Sequence, residues 1–148
     1  MSSESVFLDV NVPMYAAGQP HASKDACAWI MTEIAQGRLA AVIDTEIIQE
    51  IMYRYEALER FQVAVTMSAS LLTLVSTIYP ISPADTQLTI QLFHRYASQG
   101  IKARDLIHVA VMKNNGLTKV ISADKHFDLI DGITRIDPQT LFARGTEK

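Results

Sequence analysis

The sequence has a single cysteine, Cys27, in 148 residues, and its N-terminus lacks the features of a secretory signal. One cysteine cannot form a disulfide within the chain, which favours a reducing compartment. The first five residues contain no basic region followed by an apolar stretch. We therefore expect a cytoplasmic protein.

Charge is also missing from a long stretch, because no Asp, Glu, Lys or Arg lies between Arg60 and Asp85. Its length is comparable with a membrane span, but it contains many hydroxyl side chains and ends in a proline-containing segment. It therefore predicts a helix over 59–75, buried in the core, followed by a strand near 77–81, and no membrane insertion. A helix in a subunit or partner interface is the alternative.

With 49% hydrophobic and 20% charged residues, the chain has the composition of one domain over 1–148, with its core at about 6–138. Strand and helix signals alternate, which is typical of an α/β fold with a mostly parallel sheet covered on both faces. The predicted strands are 6–8, 39–43, 76–81, 119–122 and 133–136. The predicted helices are 11–17, 24–36, one beginning after Asp44, 59–75, 83–99, 103–115, a short turn at 124–129 and one from Pro138.

Two acids follow predicted strands. Asp9 ends the apolar run Val6-Phe-Leu8, and Asp124 comes just after the run that ends at Ser122. Open α/β sheets gather their reactive groups at this edge. Capping or bracing of a turn is the alternative role for either acid.

Two further acids lie on predicted helices. In the helix after Asp44, Glu50 lies roughly 60° outside the apolar arc and Glu46 roughly 100° outside it, at about 100° per residue. Glu50 is therefore predicted at the margin of a cleft, with a solvated position near Arg54 as the alternative. Glu46 suits the helix dipole without any function but remains an alternative to Glu50.

Asp105 begins a helix that is apolar nearly all round, where a carboxylate is costly unless it is capped, paired or open to a wet cleft. His108, one turn later, is predicted to be a buried histidine that supports a site rather than a metal ligand. If Asp9, Glu50, Asp105 and Asp124 converge, they repel each other unless divalent cations are present. Oxygen ligands of this kind suit Mg²⁺ or Mn²⁺, which activate water for attack on phosphorus.

The net charge of −3 argues against nucleic acid, but the segment from Lys102 to His126 is basic on balance. A basic rim beside an acidic pocket could hold a phosphate chain if cations fill the pocket.

Four segments, taken in order, resemble the motifs of a PIN domain. They are Asp9-Val-Asn11, the helix carrying Glu50, Asp105-Leu-Ile-His-Val-Ala110 and Ser122-Ala-Asp-Lys-His-Phe127, and the closing segment from Gly132 to Pro138 is also similar. The resemblance implies a three-layer α/β/α sandwich and a Mg²⁺- or Mn²⁺-dependent endoribonuclease acting on single-stranded or structured RNA. At this length it looks like a VapC-like toxin of a type II toxin–antitoxin pair, which implies an antitoxin partner and a homodimer.

The resemblance also assigns roles. Asp9, Glu50, Asp105 and Asp124 are the expected catalytic and metal-binding acids. Asn11 and Ser122 are expected to support them, with Ser122 positioning a water or a phosphate oxygen. The RNA backbone is expected to contact Arg104, Lys125 or His126.

Two other functions are weighed against this one. Leu8-Asp-Val-Asn-Val12 faintly resembles the nucleophile loop of haloacid-dehalogenase-type phosphatases, but that chemistry needs a second acid where this chain has Asn11. A non-catalytic PIN-type adaptor for RNA or protein is the other alternative, and the presence of all four acids argues against it.

Overall fold

The computed structural model describes residues 4–18 and 20–147, so Met1–Ser3 of the N-terminal segment discussed above lie outside the described residues. Within them, five strands form one sheet in the order β3-β2-β1-β4-β5, and every neighbouring pair is parallel. The strands are β1 (Val6–Leu8), β2 (Ala41–Asp44), β3 (Thr77–Tyr79), β4 (Lys119–Ile121) and β5 (Thr134–Ile136).

Helices flank this sheet in a three-layer arrangement, and the predicted α/β fold is confirmed. The helices are α1 (Asn11–Ala16), α2 (Lys24–Ala35), α3 (Thr45–Ala57), α4 (Phe61–Leu74), α5 (Pro83–Tyr96), α6 (Ala103–Asn114) and α7 (Pro138–Gly145). Two short 3₁₀ helices cover Ala97–Gln99 and Lys125–Leu129.

The core is centred on β1 and α6. All three residues of β1 are buried, as expected for a central parallel strand covered on both faces. In α6 the four consecutive residues from Val109 to Met112 have no exposed surface. Full burial of a Val or Met side chain stabilises a fold by about 1.5–3 kcal/mol, so this part of α6 contributes strongly to the core.

Asp44, Ser82 and Ser23 each stand directly before a helix, where Asp and Ser are favoured as capping residues, and two of the three act as caps. The Asp44 carboxylate accepts a hydrogen bond from the Ile47 amide, and Ser82 forms a reciprocal capping box with Asp85. Ser23 precedes α2, but its hydroxyl does not cap that helix and instead accepts a hydrogen bond from the Gln139 side chain. The cap that a serine at this position predicts is therefore absent, because the Ser23 backbone, with ψ of 7°, is not in the extended conformation that a capping residue adopts.

The prediction that the uncharged helix is buried in the core was also wrong. Within α4 only Ala64, Ser68 and Leu71 are buried, whereas Phe61 and Val65 are each 60% exposed. A lack of charge therefore does not mean burial here. No helix among the described residues is long and apolar enough to cross a membrane.

Candidate active site

The site forms where the central strands end. Asp9 directly follows β1 and Asp124 follows β4, and these two strands are parallel neighbours. In open sheets of this kind, ligands bind in the crevice beyond the carboxyl ends of the strands. The topology therefore brings two carboxylates together that are far apart in sequence.

The other two predicted acids reach the same place from helices. Glu50 lies in the second turn of α3, and Asp105 lies in the first turn of α6. Together with Asp9 and Asp124 they line one cavity of about 200 Å³. Glu46 lies outside the lining of this cavity, so the geometry favours Glu50 over Glu46 as the fourth acid.

Asp9 is held by hydrogen bonds on both carboxylate oxygens. Its Oδ1 accepts from the Val10 amide at 2.8 Å, and its Oδ2 accepts from the Ser122 hydroxyl at 2.6 Å and from Asn11 Nδ2 at 3.1 Å. Burial raises the pKa of the Asp9 carboxyl above its ordinary value, and the Ser122 hydroxyl opposes that rise. Asp9 is thus a fixed and partly desolvated carboxylate.

Ser122 lies between β4 and Asp124 as expected, but it is not part of the cavity lining. Its side chain is fully buried, and its hydroxyl donates to Asp9 while accepting from Asn11 Nδ2 at 3.2 Å and from the Asp124 amide at 2.9 Å. One donor and two acceptor positions are all that a hydroxyl offers. Ser122 therefore orients Asp9 and the start of the Asp124 turn, and its hydroxyl has no capacity left for water or phosphate in this arrangement.

Glu50 is only 5% exposed, deeper than the cleft margin that its helical position predicts. Its Oε2 accepts from Arg54 Nη2 at 2.9 Å, and its Oε1 lies 3.4 Å from His108 Nε2. Burial alone would raise the pKa of Glu50, but the contacts with His108 and Arg54 bring that pKa below its ordinary value. The alternative for Glu50 was a solvated position near Arg54. The contact with Arg54 is present, but Glu50 is buried rather than solvated.

His108 is fully buried, as predicted from its position on α6. Its Nδ1 lies 2.7 Å from Oδ2 of Asp44, on the side of the ring opposite to Glu50. Burial disfavours the imidazolium, yet hydrogen bonds to the two carboxylates raise the pKa of His108 well above its ordinary value. His108 does not line the cavity and supports it from behind.

Asp105 and Asp124 are the more accessible acids. The Asp105 carboxylate accepts no hydrogen bond from any described residue, so the alternative of a cap receives no support. Burial, together with the nearby charges of Asp9 and Asp124, raises the pKa of Asp105 to about 6. Asp124 caps the 3₁₀ helix by accepting a hydrogen bond from the His126 amide, and it also lines the cavity.

Basic side chains stand at the rim of the same cavity. Of the three expected RNA contacts, Arg104 and His126 line the cavity, whereas Lys125 is exposed and lies outside the lining. Arg54 and Lys102 also line it, although neither was selected from the sequence as a site residue. The spacing of four residues between Glu50 and Arg54 is the signal that points to Arg54, since such residues face each other on a helix.

A profile of the PIN domain matches residues 6–133, which is most of the chain. The chain belongs to the PIN domain family. The resemblance seen in the four acidic segments is thereby confirmed.

This PIN domain is similar to several bacterial proteins. It is 31% identical to Ribonuclease VapC13 of Mycobacterium tuberculosis over 131 residues, which cover 88% of this chain and 98% of that protein. Two solved structures share its fold. VapBC2 from Rickettsia felis, bound to a DNA fragment from its promoter, has a TM-score of 0.69 at 15% identity, over 90% of this chain and 98% of that one. VapC20 of Mycobacterium tuberculosis, described as a sarcin–ricin loop cleaving toxin, has a TM-score of 0.70 at 14% identity, over 84% and 93%.

The donor set of this PIN domain fits a hard divalent cation. All four acids offer carboxylate oxygens, and Asp105 is not committed to a partner among the described residues. In the described part of the chain, no three Asp, Glu, His or Cys side chains lie together in a way that could by themselves hold a metal ion. Mg²⁺ commonly keeps several waters and binds one or two carboxylates directly, so an open set of this kind suits it.

Proposed function

We propose that this PIN domain is a divalent-cation-dependent endoribonuclease and the toxin of a type II toxin–antitoxin pair. The observation that carries the proposal is the meeting of Asp9, Glu50, Asp105 and Asp124 in one cavity with basic side chains at its rim. Four carboxylates repel each other in a low-dielectric cavity. A cation that removes this repulsion gives the arrangement a chemical purpose.

The choice of RNA as the substrate is supported by the curated relatives. Ribonuclease VapC13 aligns with this chain over nearly its whole length. The site itself also supports a phosphodiester substrate, because acids surrounded by Arg and Lys suit an anionic phosphodiester better than a neutral substrate.

Each of the four acids has a proposed role at the cation. Asp9, Asp105 and Asp124 are the proposed ligands of Mg²⁺ or Mn²⁺, directly or through water, and Glu50 completes the set or orients the attacking water. When bound, the cation supplies a Lewis acid that steadies the negative charge developing on phosphorus. Asn11 and Ser122 hold the Asp9 carboxylate in place for this purpose.

The rim supplies affinity for the RNA backbone. Lys102, Arg104 and His126 line the cavity and are the proposed phosphate contacts. Contacts of this kind position a nucleic acid without reading its sequence. Base selection therefore needs other surfaces.

The proposed partners are an antitoxin protein and a second copy of this chain, acting in the cytoplasm. Structures named as VapBC complexes share the fold, which supports a protein partner. The exposed apolar side chains of α4 also support one, because apolar patches on monomers mark interaction surfaces. A small neighbouring reading frame for a DNA-binding protein would add to this support.

The test is RNA cleavage by purified protein with Mg²⁺ or Mn²⁺ and with EDTA. Asp9→Asn should fold normally and lose cation-dependent cleavage by at least about 100-fold, since general acid–base and metal contributions are of that order. Asp25→Asn is the matched control, because Asp25 is an exposed helix residue outside the cavity lining. Equal cleavage by Asp9→Asn and wild type would point to a contaminating nuclease or another site.

A non-catalytic adaptor is the second candidate, and one observation favours it. Glu50 is already neutralised by Arg54 and His108, so this acid is satisfied without a cation. Calorimetry with Mn²⁺ separates the two functions. Binding by wild type that Asp105→Asn weakens supports the nuclease, whereas the absence of binding supports the adaptor.

A further inference from the structure

Behind the cavity wall lies a row of three buried ionisable side chains. Asp44 and His108 have no exposed surface, and Glu50 is 5% exposed. The His108 ring stands between the two carboxylates, with Nδ1 2.7 Å from Asp44 Oδ2 and Nε2 3.4 Å from Glu50 Oε1. Of the three, only Glu50 lines the cavity.

This row is expensive for a purely structural element. Taking ionisable groups out of water costs several kcal/mol each, and well-packed apolar residues often serve stability better. The surroundings are apolar, since the residues that follow His108 on α6 are hydrophobic and the ring of Phe7 lies 5.4 Å from the imidazole. Stability alone therefore does not account for the row.

Helix capping does not account for it either. Asp44 caps α3 through Oδ1, which accepts from the Ile47 amide at 3.1 Å. A Ser or Thr caps a helix about as well, but neither offers the second oxygen that contacts His108. The carboxylate of Asp44 thus does two things, and the second is to hold the imidazole.

The row also restrains Glu50 from one side only. Arg54 contacts Oε2 at 2.9 Å, and Arg104 lies 3.9 Å from the same oxygen, so both arginines draw the carboxylate toward the rim. His108 contacts the other oxygen from behind. The direction in which Glu50 points is the balance of these contacts.

We propose that Asp44 and His108 are positioning residues that hold Glu50 in the orientation needed for cation binding. This inference rests on the proposed function. Partners that orient a ligand in this way typically change metal affinity or activity by about 10–100-fold when they are removed.

Two substitutions of His108 separate its two contacts. The amide of Asn places a donor near the position of Nδ1, so His108→Asn keeps the contact with Asp44 and loses the contact with Glu50. The longer amide of Gln places a donor near Nε2, so His108→Gln does the reverse. His94→Asn and His94→Gln are matched controls on the exposed face of α5.

Three measurements are made on each protein: Mn²⁺ affinity by calorimetry without RNA, Tm without metal, and kcat and KM for RNA cleavage. We expect His108→Asn to weaken Mn²⁺ binding about 10-fold and to lower kcat with little change in KM. His108→Gln keeps the contact with Glu50 but loses the support of Asp44, so it should lose less Mn²⁺ affinity than His108→Asn even where its Tm is the lower of the two. Equal Mn²⁺ affinity in both variants, or losses in both that simply follow Tm, would overturn the positioning role.

A second variant covers the case in which neither His108 variant folds. Asp44→Ser keeps a side chain that caps α3 but removes the oxygen that holds His108, and it should weaken Mn²⁺ binding by a similar factor. Wild-type affinity in Asp44→Ser would overturn the inference. If the wild-type protein neither binds Mn²⁺ nor cleaves RNA, the proposed function itself is wrong. If the wild type is active and the His108 and Asp44 variants bind Mn²⁺ as well as it does, only the positioning role is wrong.

Discussion

Two regions of this PIN domain reverse the usual relation between polarity and burial. At the strand ends, Asp9, Asp44, Glu50 and His108 are charged or polar and buried, and each has named hydrogen-bond partners. On α4, Phe61 and Val65 are apolar and exposed, and α4 borders an apolar groove of about 440 Å³ together with α1 and α2. The first region is closed by contacts within the chain, and the second leaves apolar surface uncovered.

The difference shows that the buried polar side chains beside the cavity are satisfied within the chain, while α4 is only partly covered by the fold. Buried polar groups demand partners, so their positions are fixed by hydrogen bonds. Exposed apolar groups make no such demand. Substitutions in the two regions should therefore differ in their effects on stability and on RNA cleavage. Pairs of similar substitutions at different positions can test this.

The largest expected effect on stability is at Leu71 of α4, which is 1% exposed. Leu71→Ala should lower the free energy of unfolding by about 2–5 kcal/mol, because it leaves a cavity in the core. Leu72→Ala, at a side chain that is 48% exposed, should change it by no more than about 0.5 kcal/mol. Urea unfolding of the two variants measures this, and equal losses would mean that α4 is covered on both sides.

The next effect compares two buried serines. Ser122→Ala removes the hydroxyl that joins Asp9, Asn11 and the Asp124 amide, and should lower RNA cleavage by about 10–100-fold. Ser68→Ala should leave cleavage unchanged and stability equal or higher, because the buried Ser68 hydroxyl has no hydrogen-bond partner among the described residues. Similar cleavage by the two variants would remove the distinction between the regions.

A smaller effect concerns pH. The Asp105 pKa is raised from 3.8 to about 6, so the folded protein binds the proton more tightly than the unfolded chain. Without metal, this tighter proton binding adds to the free energy of unfolding. The contribution is fully present below about pH 4 and is lost as the pH rises through about 6.

Asp105→Asn removes this titration. In EDTA at pH 7.5 the variant should be more stable than wild type by about 1–3 kcal/mol, and the difference should largely vanish near pH 4. Urea unfolding at the two pH values measures it, and a variant that is less stable at pH 7.5 would contradict the raised pKa. The same substitution should abolish cation-dependent cleavage, so stability and activity would change in opposite directions.

The smallest expected effect separates two lysines near the site. Lys102→Ala should weaken RNA binding a few-fold and reduce the salt dependence by about one phosphate contact, since Lys102 lines the cavity. Lys125→Ala should change binding less, because Lys125 is exposed outside the lining. Both variants are made in the Asp9→Asn protein, so that filter binding at several salt concentrations measures RNA affinity without cleavage. A larger effect at Lys125 would mean that the RNA backbone runs past Lys125 rather than Lys102.

The sequence is sufficient to place the acids that follow strands. Asp9 and Asp124 end β1 and β4, and the rule that parallel strands share one carboxyl edge brings them together. Helical periodicity also selects Glu50 over Glu46. It does not predict how deeply Glu50 is buried, because that depends on His108 reaching it from α6.

The remaining errors come from contacts between distant segments. Asp44 is predictable as a cap from local signals, but its second oxygen meets a histidine 64 residues later. Ser122 is predictable near the site, but the count of its hydrogen bonds shows that it serves Asp9. For α4, composition indicates an apolar helix and carries no information on what covers it.

One consequence of the strand order concerns the synthesis of the chain on the ribosome. β1 lies in the middle of the sheet, and the Asp9 carboxylate takes its hydrogen bond from a serine 113 residues later. Translation adds about 5–20 residues per second, so for several seconds an emerging chain has its first acid but not its last. An enzyme of the proposed kind would therefore be inactive during its own synthesis until Ser122 and Asp124 had left the exit tunnel.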